Sequence, residues 1–252
     1  MGGSMVQGLL ASQSIMPGDI TVADPYQGIL DKLAESGVSV TTDNKAAAQE
    51  ADVVMMVVKP WLVEQVVKEI KDEMDYNRQK LVVIAAGVKS EDILRWAARD
   101  DGSVPTLFLA IPNIAAAVMQ SMTFVVPVNA SPEDTKSVCG LFDLMGSSIV
   151  TEERLLAAGT TLASCGIAYA MRYVRAATEG GVELGFKAHQ AEEIVLQTVK
   201  GAVELLQSRD QHPEAAIDLV TTPGGVTIKG LNEMEHAGFS SAVIRGLKAG
   251  MK

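Results

Sequence analysis

The sequence is poor in cysteine and histidine. It has two cysteines, Cys139 and Cys165, and three histidines, His189, His212 and His236. Two cysteines make no disulfide framework and match no metal-ligand spacing. The histidines are too scattered for a zinc motif, so no metal site is expected. Positive charge is also short: 21 Lys and Arg against 31 Asp and Glu leave a net charge of −10. No cluster of Lys and Arg offsets it, which argues against a nucleic-acid backbone as partner. No basic stretch leads into an apolar run at the amino terminus, so a reduced, cytoplasmic setting is expected. Long apolar spans are lacking too. Residues 103–132 carry no charge but are broken by Pro105, Pro112 and Pro127, and residues 155–171 are slightly short for a bilayer. A membrane partner is therefore not expected.

One more feature is missing. A dinucleotide-binding unit should begin with a strand, a glycine loop and a helix. Here Met1-Gly2-Gly3-Ser4 enters helix at once. Opening glycines alone are a weak signal, since initiation and local packing account for them equally.

What remains is 252 residues, 48% hydrophobic. That suffices for one large domain or two smaller ones. The patterning predicts helices over 2–12, 27–36, 44–50, 60–74, 90–99 and 131–145. Strands are predicted over 20–23, 38–41, 53–58, 81–85, 106–110, 122–128 and 147–150. Ser131-Pro132-Glu133 carries clear helix-start signals. Repeated βα units with continuous apolar strands argue for a mostly parallel sheet covered by helices on both faces. From residue 152 onward only helices are expected. The division falls near Val150, and the apolar helices beyond it suit a dimer interface.

Around Val220-Thr221-Thr222-Pro223-Gly224-Gly225-Val226-Thr227 a helix should stop, the chain turn, and a new helix start near Val226. The unpaired N–H groups of a helix start can bind a carboxylate, and Thr222 and Thr227 could add hydroxyls. A capped corner without a ligand is the plainer alternative. Open parallel sheets bind ligands beyond the C-terminal ends of their strands. Asp24 ends one strand, where a carboxylate can hold an adenosine ribose and would repel a 2′-phosphate; it is equally an Asp-Pro turn residue. Val58-Lys59-Pro60 ends another, with Lys59 placed for a phosphate or a carboxylate, or simply for structure. Ala85-Ala86-Gly87 has side chains small enough for a planar ring to approach, though tight packing would explain them nearly as well. At Ile111-Pro112-Asn113, Asn113 could order a loop or bind an amide.

Taken together these stretches resemble the pyrroline-5-carboxylate reductase family over nearly the whole chain. The carriers are Met1-Gly2-Gly3-Ser4 through Gly8-Leu9-Leu10, Thr42-Asp43-Asn44, Ala51-Asp52-Val53-Val54, Val58-Lys59-Pro60, Ala86-Gly87, Pro112-Asn113, Gly166 with Ala168-Tyr169, and Gly181, Leu184 and Gly185. The strongest is Thr222-Pro223-Gly224-Gly225-Val226-Thr227, against S/T-P-G-G-x-T. The resemblance implies an α/β protein. Residues 1–150 would form a Rossmann-like, mostly parallel sheet domain lacking its first strand and most of its glycine-rich loop. Residues 151–252 would form an all-helical substrate-binding and dimerisation domain. The implied reaction is reduction of L-1-pyrroline-5-carboxylate to L-proline with NADP or NAD as cofactor.

By the same resemblance Met1, Gly2, Asp24, Val58, Lys59, Pro60, Ala86 and Gly87 would bind the cofactor. Thr222, Gly224, Gly225, Thr227, Asp210 and Asn113 would bind a small cyclic imino acid, and Thr227 and Lys59 would stand closest to the chemistry. Self-association as a homodimer or larger assembly is implied. The chain departs from the family at Ile114-Ala115, at Cys165-Gly166-Ile167 and at its opening. A strand missing from the middle of the sheet would cost hydrogen bonds on both sides. Either the natural beginning is longer, or the sheet is completed another way, for example by a partner strand. Two rivals follow: a non-catalytic dimeric homologue with impaired cofactor binding, and a reductase of another small cyclic imine.

Overall fold

The structure, a computed structural model, describes residues 1–209 and 211–251. Asp210 lies outside the described residues. The chain forms two compact units, Met1–Ser164 and Cys165–Lys252.

The first unit alternates helix and strand: α1 (Gly2–Ala11), β1 (Thr21–Ala23), α2 (Gln27–Ala34), β2 (Ser39–Thr41), α3 (Asn44–Gln49), β3 (Val53–Met56), α4 (Val63–Ile70), β4 (Lys80–Val83), α5 (Ser90–Ala97), β5 (Thr106–Ile111), β6 (Ser121–Val128), α6 (Pro132–Asp143) and β7 (Gly146–Val150). A 3-10 turn, Ile114–Val118, precedes β6, and the unit closes with a 3-10 turn Glu153–Leu155, the short α7 (Leu156–Gly159) and a π-helical turn Thr160–Ser164. Helix starts follow the local chemistry. Asp43 caps α3 by accepting the N–H groups of Lys45 and Ala46, and Ser131 with Asp134 forms a capping box on α6 behind Pro132.

The sheet is in two pieces. β1 and β2 pair in parallel, and β3-β4-β5-β6-β7 form a second sheet, parallel except between β5 and β6. β1 and β3 are therefore edge strands. Met5, Val6 and Leu9 of α1 share one apolar cluster with Val22, Val40, Val53, Met55 and Val57, so a single helix bridges both pieces. The consequence shows in burial: β3 reads as a buried strand, yet only Met56 is fully covered. β3 also ends at Met56, because Val57 to Lys59 leave the sheet. Phe108 and Phe142 are fully buried in the same cluster, each contributing roughly 2–3 kcal/mol of burial. The far face packs Val63, Val67, Leu81, Val83, Ile93 and Leu107 into a second cluster. The continuous helix expected over 60–74 is instead a 3-10 turn, Pro60–Leu62, followed by α4.

The second unit is all helical: α8 (Cys165–Glu183), α9 (Ala188–Arg209), α10 (Pro213–Leu219), α11 (Val226–His236) and α12 (Phe239–Ala249). Among its described residues only Ala191 belongs to a buried core. It fits against Gly181, where an added Cβ would stand 2.9 Å from the Ala191 Cβ. Large apolar side chains face outward, among them Leu184, Phe186, Leu196, Val203, Leu219 and Ile244. Burial this sparse among the described residues offsets little of the unit's conformational entropy.

Candidate active site

The registers of β3, β4 and β5 put their C-terminal ends on one edge. Val58, Lys59 and Pro60 follow β3; Ala85, Ala86 and Gly87 follow β4; Pro112 and Asn113 follow β5. The start of α1 reaches the same edge, since a Cβ on Gly2 would lie 3.9 Å from the Val57 Cβ. α1 has Met1 as its N-cap, no side-chain cap and no acid in its first turn. Its first N–H groups are open to an anion. A Cβ on Gly3 would meet nothing within 4 Å, which leaves room for a phosphate against the backbone. Lys59, Ala86 and Gly87 are exposed. These features fit a dinucleotide: open amides for the pyrophosphate, a lysine at the rim and a small-residue shelf for a ring.

Asp24 sits just past β1. One carboxylate oxygen accepts the Tyr26 N–H at 2.9 Å, and its own N–H donates to the Thr41 carbonyl. The turn and ligand readings of Asp24 are thus compatible, because the second oxygen is left over. Asn113 is buried; its side-chain oxygen caps the Ile114–Val118 turn by accepting the Ala115 N–H, and its backbone N–H donates to Ser121 Oγ at 3.1 Å. Loop ordering is the role the geometry gives it.

In the second unit the corner has the expected shape. α10 ends at Leu219, before Pro223 is reached, because the Thr221 hydroxyl donates to the Ile217 carbonyl and the last turn tightens. Gly224 has φ +70°, and the Gly225 N–H closes the turn onto the Thr222 carbonyl at 3.0 Å. Any Cβ at Gly225 would collide with the Thr222 hydroxyl. Gly225 is the N-cap of α11 and supplies no side-chain cap, and the first turn carries no acid. Thr222 and Thr227 are exposed. Two exposed hydroxyls beside an open helix start are chemistry that suits a carboxylate.

Two contributions escaped the sequence. Gly8 passes directly beneath the Ala116 carbonyl, where no Cβ fits. Glu153 accepts from both the N–H and the hydroxyl of Ser90. No local pattern could show either, since each depends on a distant segment.

A Rossmann-type α/β unit followed by an all-helical dimerisation unit is the architecture of a two-domain oxidoreductase. Comparison with known proteins makes the class specific. The family model for pyrroline-5-carboxylate reductase dimerisation matches residues 153–252, and that for NADP oxidoreductase, coenzyme F420-dependent, matches residues 1–87. The pyrroline-5-carboxylate reductase of Methanosarcina acetivorans is 34% identical, with 97% of this chain and 91% of that protein covered. Pyrroline-5-carboxylate reductase 1 of Dictyostelium discoideum is 36% identical over 98% of this chain, which spans 46% of that longer protein. The solved pyrroline-5-carboxylate reductase of Coxiella burnetii superposes with a TM-score of 0.88 at 26% identity, covering 99% and 92% of the two chains. The chain belongs to the pyrroline-5-carboxylate reductase family.

Proposed function

We propose that this chain reduces L-1-pyrroline-5-carboxylate to L-proline with NADPH or NADH, as the last step of proline formation. The observation that carries the reading is the Thr222–Thr227 corner, in a chain whose sheet edge also fits a dinucleotide. Bound there, the nicotinamide supplies the hydride. The chain's own residues bind and orient. The N–H groups of α11 and the Thr222 hydroxyl hold the substrate carboxylate. Thr227 Oγ hydrogen-bonds the ring nitrogen, which must be protonated for its C=N carbon to accept hydride and which ends as a secondary amine. Positioning of this kind supplies much of the rate, and the redox chemistry belongs to the cofactor. Asn113 acts by ordering the loop after β5, and Lys59 by attracting phosphate at the rim.

Two copies complete the helical unit: the outward apolar side chains of α8 to α12 are matched by those of a second chain, giving a homodimer or an assembly of dimers. The functional division lies near residue 150, where the strands stop. No helix among the described residues is long and apolar enough to cross a membrane, and two free cysteines suit a reducing cytoplasm. The test is direct: purified protein is given pyrroline-5-carboxylate with NADH or NADPH, and loss of nicotinamide absorbance is followed with proline formation. Absence of both at saturating concentrations would reject the reading. A second imine is favoured only by exposed Ile114, and a panel of cyclic imines compared by kcat/KM decides it.

A further inference from the structure

The loop after β4 is tied to the sheet by one hydrogen bond and rests on the second apolar cluster through Ala85 and Val88. At its near end the Ile84 N–H donates to the Met56 carbonyl at 2.9 Å. Beyond it Ala86 and Gly87 are exposed, Gly87 has φ +80°, and a Cβ there would meet nothing within 4 Å. The far end is the start of α5. Lys89, the N-cap of α5, makes no side-chain cap bond. The acceptor comes instead from Glu153, 63 residues further along: Oε1 accepts the Ser90 N–H at 2.9 Å and Oε2 accepts the Ser90 hydroxyl.

Glu153 opens a strap that leads out of the sheet. Leu156 packs into the second apolar cluster, and Gly159 lies against the Phe124 ring, where an added Cβ would approach to 2.8 Å. The π-helical turn Thr160–Ser164 ends with Ser164 Oγ donating to the Pro112 carbonyl at 3.1 Å. The strap thus ties the loop after β4 at one end and the loop after β5 at the other. β4 and β5 are parallel neighbours, and both loops lie on the edge that α1 reaches. π-helical turns recur where a helix serves a functional site.

We propose that Glu153 is a positioning residue for the dinucleotide: by holding Ser90 it fixes the Ala86–Gly87 backbone against which a planar ring of the cofactor rests. The proposal depends on the sheet edge being the dinucleotide site. Glu153 touches no reacting atom. Without its carboxylate the first turn of α5 loses its acceptor, and the loop keeps the Ile84 hydrogen bond and the packing of Ala85 and Val88 on the second apolar cluster, neither of which holds the Ala86–Gly87 backbone directly. Part of the binding energy must then be spent on ordering the loop.

The full-length oligomer is the material for the test, in Glu153→Ala, Glu153→Gln and Ser90→Ala forms. Kd for NADH and NADPH is read from nicotinamide fluorescence, and KM for pyrroline-5-carboxylate is measured at saturating dinucleotide. Glu153→Ala raises the dinucleotide Kd about tenfold, as expected for a lost hydrogen bond to a charged group. Glu153→Gln and Ser90→Ala, which each keep an acceptor for the Ser90 N–H, give smaller rises. In all three KM for the imine stays within about twofold. Unchanged dinucleotide affinity in variants that fold overturns the proposal, as does an equal rise in both constants. If wild-type protein binds neither dinucleotide, the assignment of the sheet edge fails and this proposal with it; if only the variants behave like wild type, the role of Glu153 fails alone.

Discussion

Gly8 of α1 lies so close under the carbonyl of Ala116 that the two segments could not pack if residue 8 carried a Cβ; the Met145 side chain closes the same space at 3.1 Å. This contact sets the height of α1 over the Ile114–Val118 turn, and so the position of the open amides at its start. Gly8→Ala gains the usual helix propensity of alanine, about 1 kcal/mol, but forces backbone apart. The expected net is a destabilisation of roughly 1–3 kcal/mol. Gly140, in α6, is the control: a Cβ there meets nothing within 4 Å, so Gly140→Ala stabilises by up to about 1 kcal/mol. Urea midpoints at one fixed protein concentration compare the two.

The corner makes a sharper claim about Thr227. Thr227→Val keeps the shape and removes the hydroxyl at an exposed helix start. If the hydroxyl bonds the ring nitrogen as its charge changes, kcat/KM falls roughly tenfold to a hundredfold, while the Kd for NADH or NADPH holds. A variant with normal turnover would remove Thr227 from the chemistry and leave it as a surface threonine.

Self-association is expected, because Ala191 is the buried apolar residue among the described residues of the helical unit. Folding and assembly are then one event, and the urea midpoint rises with chain concentration. Leu196, half exposed on α9, tests the face. Leu196→Glu places a charge where a partner's apolar surface should lie, and sedimentation is expected to show monomer with loss of helical signal. A concentration-independent midpoint for wild type would mean the unit is stable alone.

A pH effect is built into α6. The Asp134 carboxyl is held below its ordinary value, first by the Ser131 hydroxyl and then by the Lys80 ammonium at 3.2 Å. A carboxyl lowered in the folded state adds stability that is present above its unfolded value, about 3.9, and is lost as pH falls through the lower folded value. Asp134→Asn is therefore less stable than wild type at neutral pH, and the difference shrinks below about pH 4. Asp134 is partly solvated, so the effect is screened. Ser131→Ala, which removes the cap itself, costs about 1 kcal/mol at neutral pH. Thermal midpoints taken across the acid limb decide both.

Local chemistry explains which features were legible in the sequence. The capping box at Ser131, the strand runs and the Thr222–Thr227 corner are written in adjacent residues, and each stands where its pattern puts it. The break in the sheet was also expected, from the missing first strand, but its effect on β3 was not. Val53 to Met56 read as a buried strand because their side chains are apolar, but burial depends on a neighbour, and β3 has β4 on one side only. α10 ends at the corner as its pattern indicates, though the Thr221 hydroxyl turning back onto Ile217 closes its last turn before Pro223 is reached. Glu153 was invisible because its partner, Ser90, is brought to it only by the sheet.

Asp24 bears on which cofactor is used. It follows β1, and its turn leaves one carboxylate oxygen free. Asp43, just past the paired strand β2, adds a second negative charge and is committed to capping α3. Between Ile20 and Asn44 the only cationic side chain is Lys32. It stands in the last turn of α2, not in either loop. A 2′-phosphate there would meet two carboxylates, and the nearby Lys45 of α3 is ion-paired to Glu73 at 3.6 Å, whereas a ribose 2′-hydroxyl could donate to Asp24. The chain is expected to prefer NADH. Asp24→Ser removes the repulsion, and kcat/KM for NADPH should rise about tenfold relative to NADH, a change of roughly 1.4 kcal/mol. Steady-state kinetics with both dinucleotides measure it. A wild-type preference for NADPH, unaltered in the variant, would place the adenosine ribose away from Asp24.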